Sequence, residues 1–431
     1  MRMNKHLPST LETSSRRQFV RSVIYGGLAF YGMPAFARAS KPPLGHVVIV
    51  GAGFAGLTAA KYLREWSLGN IKVTIVEPNP QFISCPQSNL VLGGSRTLDD
   101  LSFSYALARK QHNLQWIKDA VTAVDIANKQ VTLSRGSLRY DRLVLAPGVD
   151  FDYSRIPGMP APVADIPHAW KAGKQTLQLR QQLESMPDGG VFVMTIPAGP
   201  YRCPPGPYER ACQVAHYFKQ YKPGSKVIIL DANADITSKK GLFLQSFQGA
   251  YQGIIEYHNN SGILQLDTAS KTIKTDFETV KADVLNVIPP QLAGKVAQTA
   301  GLANVDQRWC EVDFTTYASN VNSDVHIIGD SISAGLPKSA HMATSQAKIC
   351  AAAIVDIQSG IPPNPLPVFA NTCYSFVDDK QAMHVANVYR YDPAKKSMVS
   401  AEGGGVSTKA TDQEGDYAQA WAQNIWADTL T

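Results

Sequence analysis

Between Val47 and Glu77 the chain reads VVIVGAGFAGLTAAKYL and then, a few residues on, KVTIVE, and no other stretch limits its fold so tightly. Val47, Val48, Ile49 and Val50 are β-branched and read as a buried strand. Gly51, Gly53 and Gly56 follow on the G-x-G-x-x-G spacing, before a helical pattern with Ala55, Ala59 and Leu63 on one face. Each glycine has its own task in such a turn: Gly51 permits it, Gly53 lets backbone amides approach a pyrophosphate, and Gly56 lets the helix pack closely. The helix N-terminus attracts the anion. KVTIVE is a second strand, and Glu77 at its end is placed to bind a ribose hydroxyl while repelling a 2′-phosphate. Strand, glycines, helix, strand and acid in this order predict a dinucleotide-binding βαβ unit, which a glycine-rich turn alone would not.

At 431 residues the chain is long enough for a large core divided into two or three domains. Its formal charge is +6, and the first 37 residues carry four of those charges, with Arg2, Lys5, Arg16, Arg17 and Arg21 against Glu12 alone. No basic run with interleaved aromatics occurs, so composition gives no ground for a nucleic-acid partner. Ser15-Arg16-Arg17-Gln18-Phe19 is a twin-arginine pattern, followed by uncharged residues 22–37 and small residues at Ala35, Ala37 and Ala39. Residues 1–39 are expected to be an export signal cleaved near its end, with the protein delivered folded to the periplasm, cofactor in place. A stable membrane anchor fits less well, because the apolar run is short and broken by glycines and a proline, and no later stretch is long and apolar enough to span a bilayer. In an oxidising compartment disulfides can persist.

Beyond the βαβ unit, Cys85 lies on the loop leaving the second strand. A helix-like stretch at 103–111 and alternating runs at 115–117, 120–125 and 130–133 predict a small antiparallel insertion. Residues 140–145 then read as an apolar strand ending in a Pro147-Gly148 turn, where an FAD protein of this build returns to its cofactor. Residues 191–196, 208–221 and 226–231 repeat strand, helix and strand. The turn of this second unit, 197–207, has no G-x-G-x-x-G, and its prolines remove amide donors from the loop that would cradle phosphates. A nicotinamide nucleotide site is therefore not expected there. Residues 325–330 form a third strand, ending in Gly-Asp, whose Asp330 can accept a hydrogen bond from a ribitol hydroxyl. The helix opening at Lys338-Ser339-Ala340 and running through Ala353 can stabilise negative charge on a reduced flavin ring. The three clusters together favour FAD over NAD.

A proline-rich linker at 362–367 leads into a C-terminal part with a turn expected at 403–405. Tyr417, Trp421 and Ile425 share one helical face, expected to pack on the protein's own body because the segment lacks the basic polar face of a membrane-surface helix. The fold class is α/β: two Rossmann-like dinucleotide-binding-type domains in the glutathione-reductase-like manner, plus a smaller C-terminal α+β domain. The expected bounds are 43–155 with 290–360 for an FAD-binding domain, 156–289 for the second Rossmann-like domain and 361–431 for the C-terminal domain. Six cysteines are present, none in C-x-x-C-H and none in zinc-type pairs, so neither a haem of the chain's own nor a metal site is read. Cys212 and Cys350 sit in alanine-rich helical stretches as packed thiols, and Cys310 has no readable partner. Cys85, Cys203 and Cys373 lie beside prolines and polar residues in loops or element starts, where access is open.

GAGFAG, the Cys85-Pro86-Gln87-Ser88-Asn89 loop, RCPPGPYERA from Arg202, HIIGD, PKSAHMATSQAK from Pro337, NTCYS from Asn371 and QNIWAD together resemble the flavoprotein subunit of flavocytochrome c sulfide dehydrogenase. The resemblance covers nearly all of the chain after the signal. It implies bound FAD, with Cys85 at the position of an 8α thioether, and a redox-active disulfide between Cys203 and Cys373 over the flavin. Glu209 matches the family's candidate acid or base. The plainer readings of the same residues are a free loop thiol, a structural bridge and a solvated charge at a helix start. Under the resemblance, hydrosulfide attacks the disulfide, leaving a persulfide on one cysteine and a thiolate on the other, and two electrons pass through FAD. They then go to a c-type cytochrome subunit, the partner that carries haem c in a heterodimer. Two alternatives share these residues: a sulfide:quinone oxidoreductase delivering electrons to the membrane, and an accessory flavoprotein that binds a sulfur-oxidation partner without turnover.

Overall fold

The computed structural model describes residues 44–431, and the twin-arginine segment lies outside the described residues. The chain runs through β1 (Gly45–Val50), α1 (Phe54–Trp66), β2 (Ile71–Val76), α2 (Ser88–Gly93), β3 (Gln115–Ile117) and β4 (Arg142–Leu145). It continues with β5 (Val191–Ile196), α3 (Gly206–Tyr221), β6 (Lys226–Asp231), α4 (Lys240–Gln248), β7 (Ile255–His258) and β8 (Val284–Val287). It closes with β9 (Val325–Ile327), α5 (Ala340–Gln358), β10 (Val368–Phe376), β11 (Ala382–Asp392), β12 (Ser397–Val406) and α6 (Asp412–Leu430). The architecture is α/β with two Rossmann-like parallel sheets, ordered β9-β4-β1-β2-β3 and β7-β6-β5-β8, and a smaller C-terminal antiparallel sheet, β10-β11-β12.

Parallel strands need cover on both faces, and the sequence supplies it through continuous apolar runs. Val47, Val48 and Ile49 of β1 are fully buried, and α1 packs against α5 across one face of the first sheet. β9 is remote in sequence from β4 but pairs with it in parallel, Val325 opposite Leu143, so a late segment completes the first sheet. The turn after β1 demands its glycines. Gly51 has φ +100°, and a Cβ on Gly56 would lie 1.9 Å from the Gly51 carbonyl oxygen.

The antiparallel insertion forms as three strands, Val121–Asp125, Gln130–Leu133 and Gly136–Arg139. The helix before it is shorter than its pattern, Ala106–Gln111, because Phe103 pairs instead with Phe82 in a two-residue ladder. The turn expected at 403–405 is a bulge inside β12. The register slips between Asn387 and Val388, and Gly403 and Gly404 take φ +98° and +116°, which only glycine adopts without strain. On α6 the buried stripe is Ala418, Ala422, Ile425 and Trp426; Tyr417 is 52% exposed and lies outside the face expected for it. Helix α6 starts on a Thr411 cap, whose hydroxyl accepts from the Glu414 amide, and Gly415 allows contact with Lys380, whose carbonyl oxygen would be 1.7 Å from an added Cβ. Among the described residues no helix is long and apolar enough to cross a membrane.

Candidate functional site

The carboxyl ends of β1, β2, β4 and β9 open into a cleft of about 780 Å³, closed on its other side by the start of α3, by β10 and by α6. Ligands of open α/β sheets bind at this end of the strands. Gly51, Gly53, Glu77, Cys85, Cys203, Glu209, Asp330 and Cys373 all line this one cleft. Its first-sheet side fits a dinucleotide. A Cβ on Gly53 would meet nothing within 4 Å, so the turn leaves open space above the amides at the start of α1. Glu77 is buried and shapes that turn: its carboxylate accepts from the Ala52 amide at 2.8 Å and from the Asn79 amide and side chain at 2.8 and 2.6 Å. Lone pairs remain for a ribose hydroxyl. Burial raises the Asp330 carboxyl above the usual range, with Arg202 and Lys338 opposing it, and none of the described residues hydrogen-bonds it. Such a carboxyl on the cleft wall suits a hydroxyl-bearing ligand.

Lys338 stands behind the wall rather than in the cleft. Its ammonium donates to the carbonyl oxygens of Asp330 and Ile332 at 2.9 and 2.6 Å and lies 3.8 Å from the centroid of the Trp309 ring. Burial lowers its pKa to about 8. The cleft-facing part of the α5 start is Ser339 and Ala340.

Three segments far apart in sequence converge on the opposite side. Cys203 sits in the second unit's turn with φ +58°, its amide donating to the Lys338 carbonyl at 2.7 Å. Glycine is required at Gly206 because a Cβ there would come within 2.8 Å of the Cys203 sulfur and 2.9 Å of Trp170. Cys373 lies within β10, which is tied to the start of α5: Ser339 donates to Asn371 at 2.7 Å and the Thr372 amide to His341 Nδ1 at 2.9 Å. Glu209 then pins β10 to α3, accepting from the Phe376 amide at 2.8 Å and from Asn89 Nδ2 at 2.8 Å. The reading of Glu209 as a solvated charge is thereby corrected: it is 8% exposed, and burial raises its pKa against these hydrogen bonds and the Lys239 and Arg210 charges.

Both cysteines are half-buried and line the cleft. Burial pushes the Cys203 thiol well above its ordinary range, with the charges of Cys373 and Glu209 adding to it. Burial also raises Cys373, but there the Lys239 cation is the next influence and opposes it. All six cysteines stand as thiols in the structure. Cys212, Cys310 and Cys350 are buried away from the cleft lining. Two cations were missed by sequence reasoning as individuals. Arg202 carries its charge beside Cys85 and Asp330, and its only signal was its place at the head of RCPPGPYERA. Lys239 carried no signal. Among the described residues no group of three or more His, Cys, Asp or Glu is arranged to hold a metal.

The second unit's turn is filled from within. Asp231, at the position that Glu77 takes in the first unit, is fully buried and accepts from Tyr208 at 2.7 Å, Tyr257 at 3.1 Å and the Asn233 amide at 2.9 Å. The Tyr208 ring thus occupies the space beside the acid where a second ribose would approach.

Residues 176–289 match the family model for the sulfide dehydrogenase (flavocytochrome c) flavoprotein chain, central; residues 365–430 match that for flavocytochrome c sulphide dehydrogenase, flavin-binding. Residues 45–189 match pyridine nucleotide-disulphide oxidoreductase. The chain is 53% identical over 45 residues to the sulfide dehydrogenase (flavocytochrome c) flavoprotein chain of Chlorobaculum thiosulfatiphilum, covering 10% of this chain and 92% of that one. It is 24% identical over 317 residues to the mitochondrial sulfide:quinone oxidoreductase of Mus musculus, 70% of this chain and 69% of the relative. The solved sulfide:quinone oxidoreductase of Aquifex aeolicus shares the fold, with a TM-score of 0.67 at 18% identity over 89% of this chain and 91% of that one.

Proposed function

The chain belongs to the family of flavocytochrome c sulfide dehydrogenase flavoprotein chains, and from that premise we propose that it oxidises sulfide through Cys203, Cys373 and FAD and passes electrons to a c-type cytochrome subunit. The observation that carries this reading is that Cys203, from the turn before α3, and Cys373, from β10, both line the cleft that also holds the Gly51 turn and Asp330. A bridge between them gives hydrosulfide an electrophilic sulfur inside a cleft lined by Arg202. Attack leaves a persulfide on one cysteine and a thiolate on the other, and Glu209, its pKa raised by burial, can take or return the sulfide proton. FAD supplies an acceptor for the electron pair when bound. The start of α1 with Gly51, Gly53 and Gly56 would hold its pyrophosphate, Glu77 a ribose hydroxyl and Asp330 the ribitol. Cys85, which lines the same cleft as Arg202, is the residue proposed to carry a thioether to the ring. Lys338 acts on the cofactor only at a distance, through the charge it sets beside Asp330.

The export signal read at 1–39 makes the periplasm the proposed compartment. Anaerobic mixing of the purified flavoprotein with sulfide, followed by addition of cytochrome c, tests the whole reading. Flavin absorbance should bleach and then recover as the haem is reduced. Absence of bleaching would leave the accessory role, and recovery with a quinone but not with cytochrome c would transfer the chain to the quinone-reducing reading. Flavin that separates from the denatured protein would remove the Cys85 bond from the proposal.

A further inference from the structure

Lys239 stands immediately before α4 with a left-handed backbone, φ +55°, a conformation that disfavours every side chain but glycine. It is 8% exposed, and its ammonium donates to the carbonyl oxygen of Cys373 at 3.1 Å. An ammonium has three N–H donors, so one bond leaves capacity unspent in a buried place. The anionic groups facing it, in order of influence, are Cys373, Glu209, Cys203 and, from α6, Glu414. Cys373 is faced by Lys239 and Glu209; Cys203 is faced by Cys373, Glu209, Arg202, Lys239 and Arg210.

That arrangement is asymmetric. The Lys239 ammonium is bonded to the carbonyl of Cys373 itself, whereas the backbone of Cys203 is bonded to that of Lys338; burial raises both thiols, and the Lys239 cation is the largest influence opposing it at Cys373 but not at Cys203. The thiol that ionises more readily is the better leaving group in exchange. We propose that Lys239 positions Cys373 as the anionic sulfur of the pair, so that hydrosulfide attacks Cys203 and Cys373 departs as the thiolate. The step balances without any further reagent. HS⁻ forms a bond to Cys203 Sγ while the Cys203–Cys373 bond breaks; Cys203 ends as a persulfide bearing the sulfide hydrogen, and Cys373 keeps the electron pair of the broken bond. This inference rests on the thiol–disulfide reading above. Lys239 touches no reacting atom in the structure and is a positioning residue.

Residue-resolved alkylation tests it independently of turnover. The FAD-loaded protein is reduced with a phosphine under anaerobic conditions and treated with iodoacetamide over a pH series, and labelling of Cys203 and Cys373 is read by mass spectrometry. In the wild type Cys373 should label with the lower pH midpoint. Lys239→Met should raise that midpoint by about one unit or more, a roughly tenfold slower labelling near neutral pH, with Cys203 moved less. Lys239→Arg should keep the wild-type value. An unmoved Cys373 midpoint in Lys239→Met, or Lys239→Arg behaving like Lys239→Met, overturns the proposal. If Lys239→Met does not fold, the wild type alone decides, because a Cys203 midpoint at or below that of Cys373 overturns it equally. Failure of sulfide to bleach the flavin is a separate outcome, which strikes the redox reading and leaves the thiol order measured.

Discussion

Glu209 is held at the start of α3 by two donors, the Phe376 amide and Asn89, and is buried on the cleft wall. Its raised pKa follows from burial first, and the direction fixes how stability depends on pH. A carboxyl whose folded pKa is raised contributes stability that is complete below its ordinary value of 4.5 and lost as the pH climbs through the folded value. Urea midpoints of wild type and Glu209→Gln should therefore diverge in the variant's favour as the pH rises above 4.5, and a parallel pair of curves would refute the buried-carboxylate account. The same variant should lower turnover with sulfide by about a hundredfold or more while flavin content is unchanged, as expected for loss of a proton-transfer group. Asp231 is the structural counterpart. It is consumed by Tyr208 and Tyr257, and Tyr208→Phe, which strips one hydrogen bond from a buried carboxylate, should cost about 1.5–3 kcal/mol in chemical denaturation.

At the level of the element, the β1–α1 turn separates folding from binding. A Cβ at Gly56 collides with the Gly51 carbonyl at 1.9 Å, so the start of α1 cannot stay where it is; a Cβ at Gly53 meets no protein atom within 4 Å. Gly56→Ala should lower both thermal stability and flavin content. Gly53→Ala should leave the apoprotein's melting midpoint within a degree or two and reduce flavin content alone, because its methyl enters only the space a pyrophosphate needs. Equal losses of stability in the two variants would contradict the geometry. The second unit has the same strand–turn–helix order, its turn carries Cys203, and one of the two glycines in that turn, Gly206, makes room for that sulfur.

For the whole molecule, the C-terminal sheet acts as the far wall of the flavin-side cleft. It is tied on by Glu209 and by Lys239, and α6 beside it is held by Trp426, whose indole donates to Ser84 at 2.8 Å. A Cys203–Cys373 bond would close a loop of 170 residues, reckoned as 373 minus 203, and restrict the unfolded chain accordingly. The oxidised protein should be more stable than the phosphine-reduced protein by up to about 5 kcal/mol in urea, and Cys203→Ser should abolish the difference. Identical urea curves for oxidised and reduced wild type would argue against the bond.

Local pattern was enough for the three strand clusters, the glycine turn, the N-terminal end of α5 and the α/β class, since each depends on neighbours a few residues apart: β-branched runs, spacing of glycines, a serine cap. It failed where a distant segment supplied the deciding partner. Phe103 left its helix to pair with Phe82, Gly403 and Gly404 became a bulge opposite Asn387, Lys338 turned to Trp309, and Glu209 bonded to β10. The sequence by itself determined that a dinucleotide turn exists and which cysteines lie outside the core. Only the tertiary structure decided that all three of those cysteines share a cleft with that turn and that Lys239 faces Cys373 and Cys203, because burial, charge and approach across more than a hundred residues are properties of packing, which no local window contains.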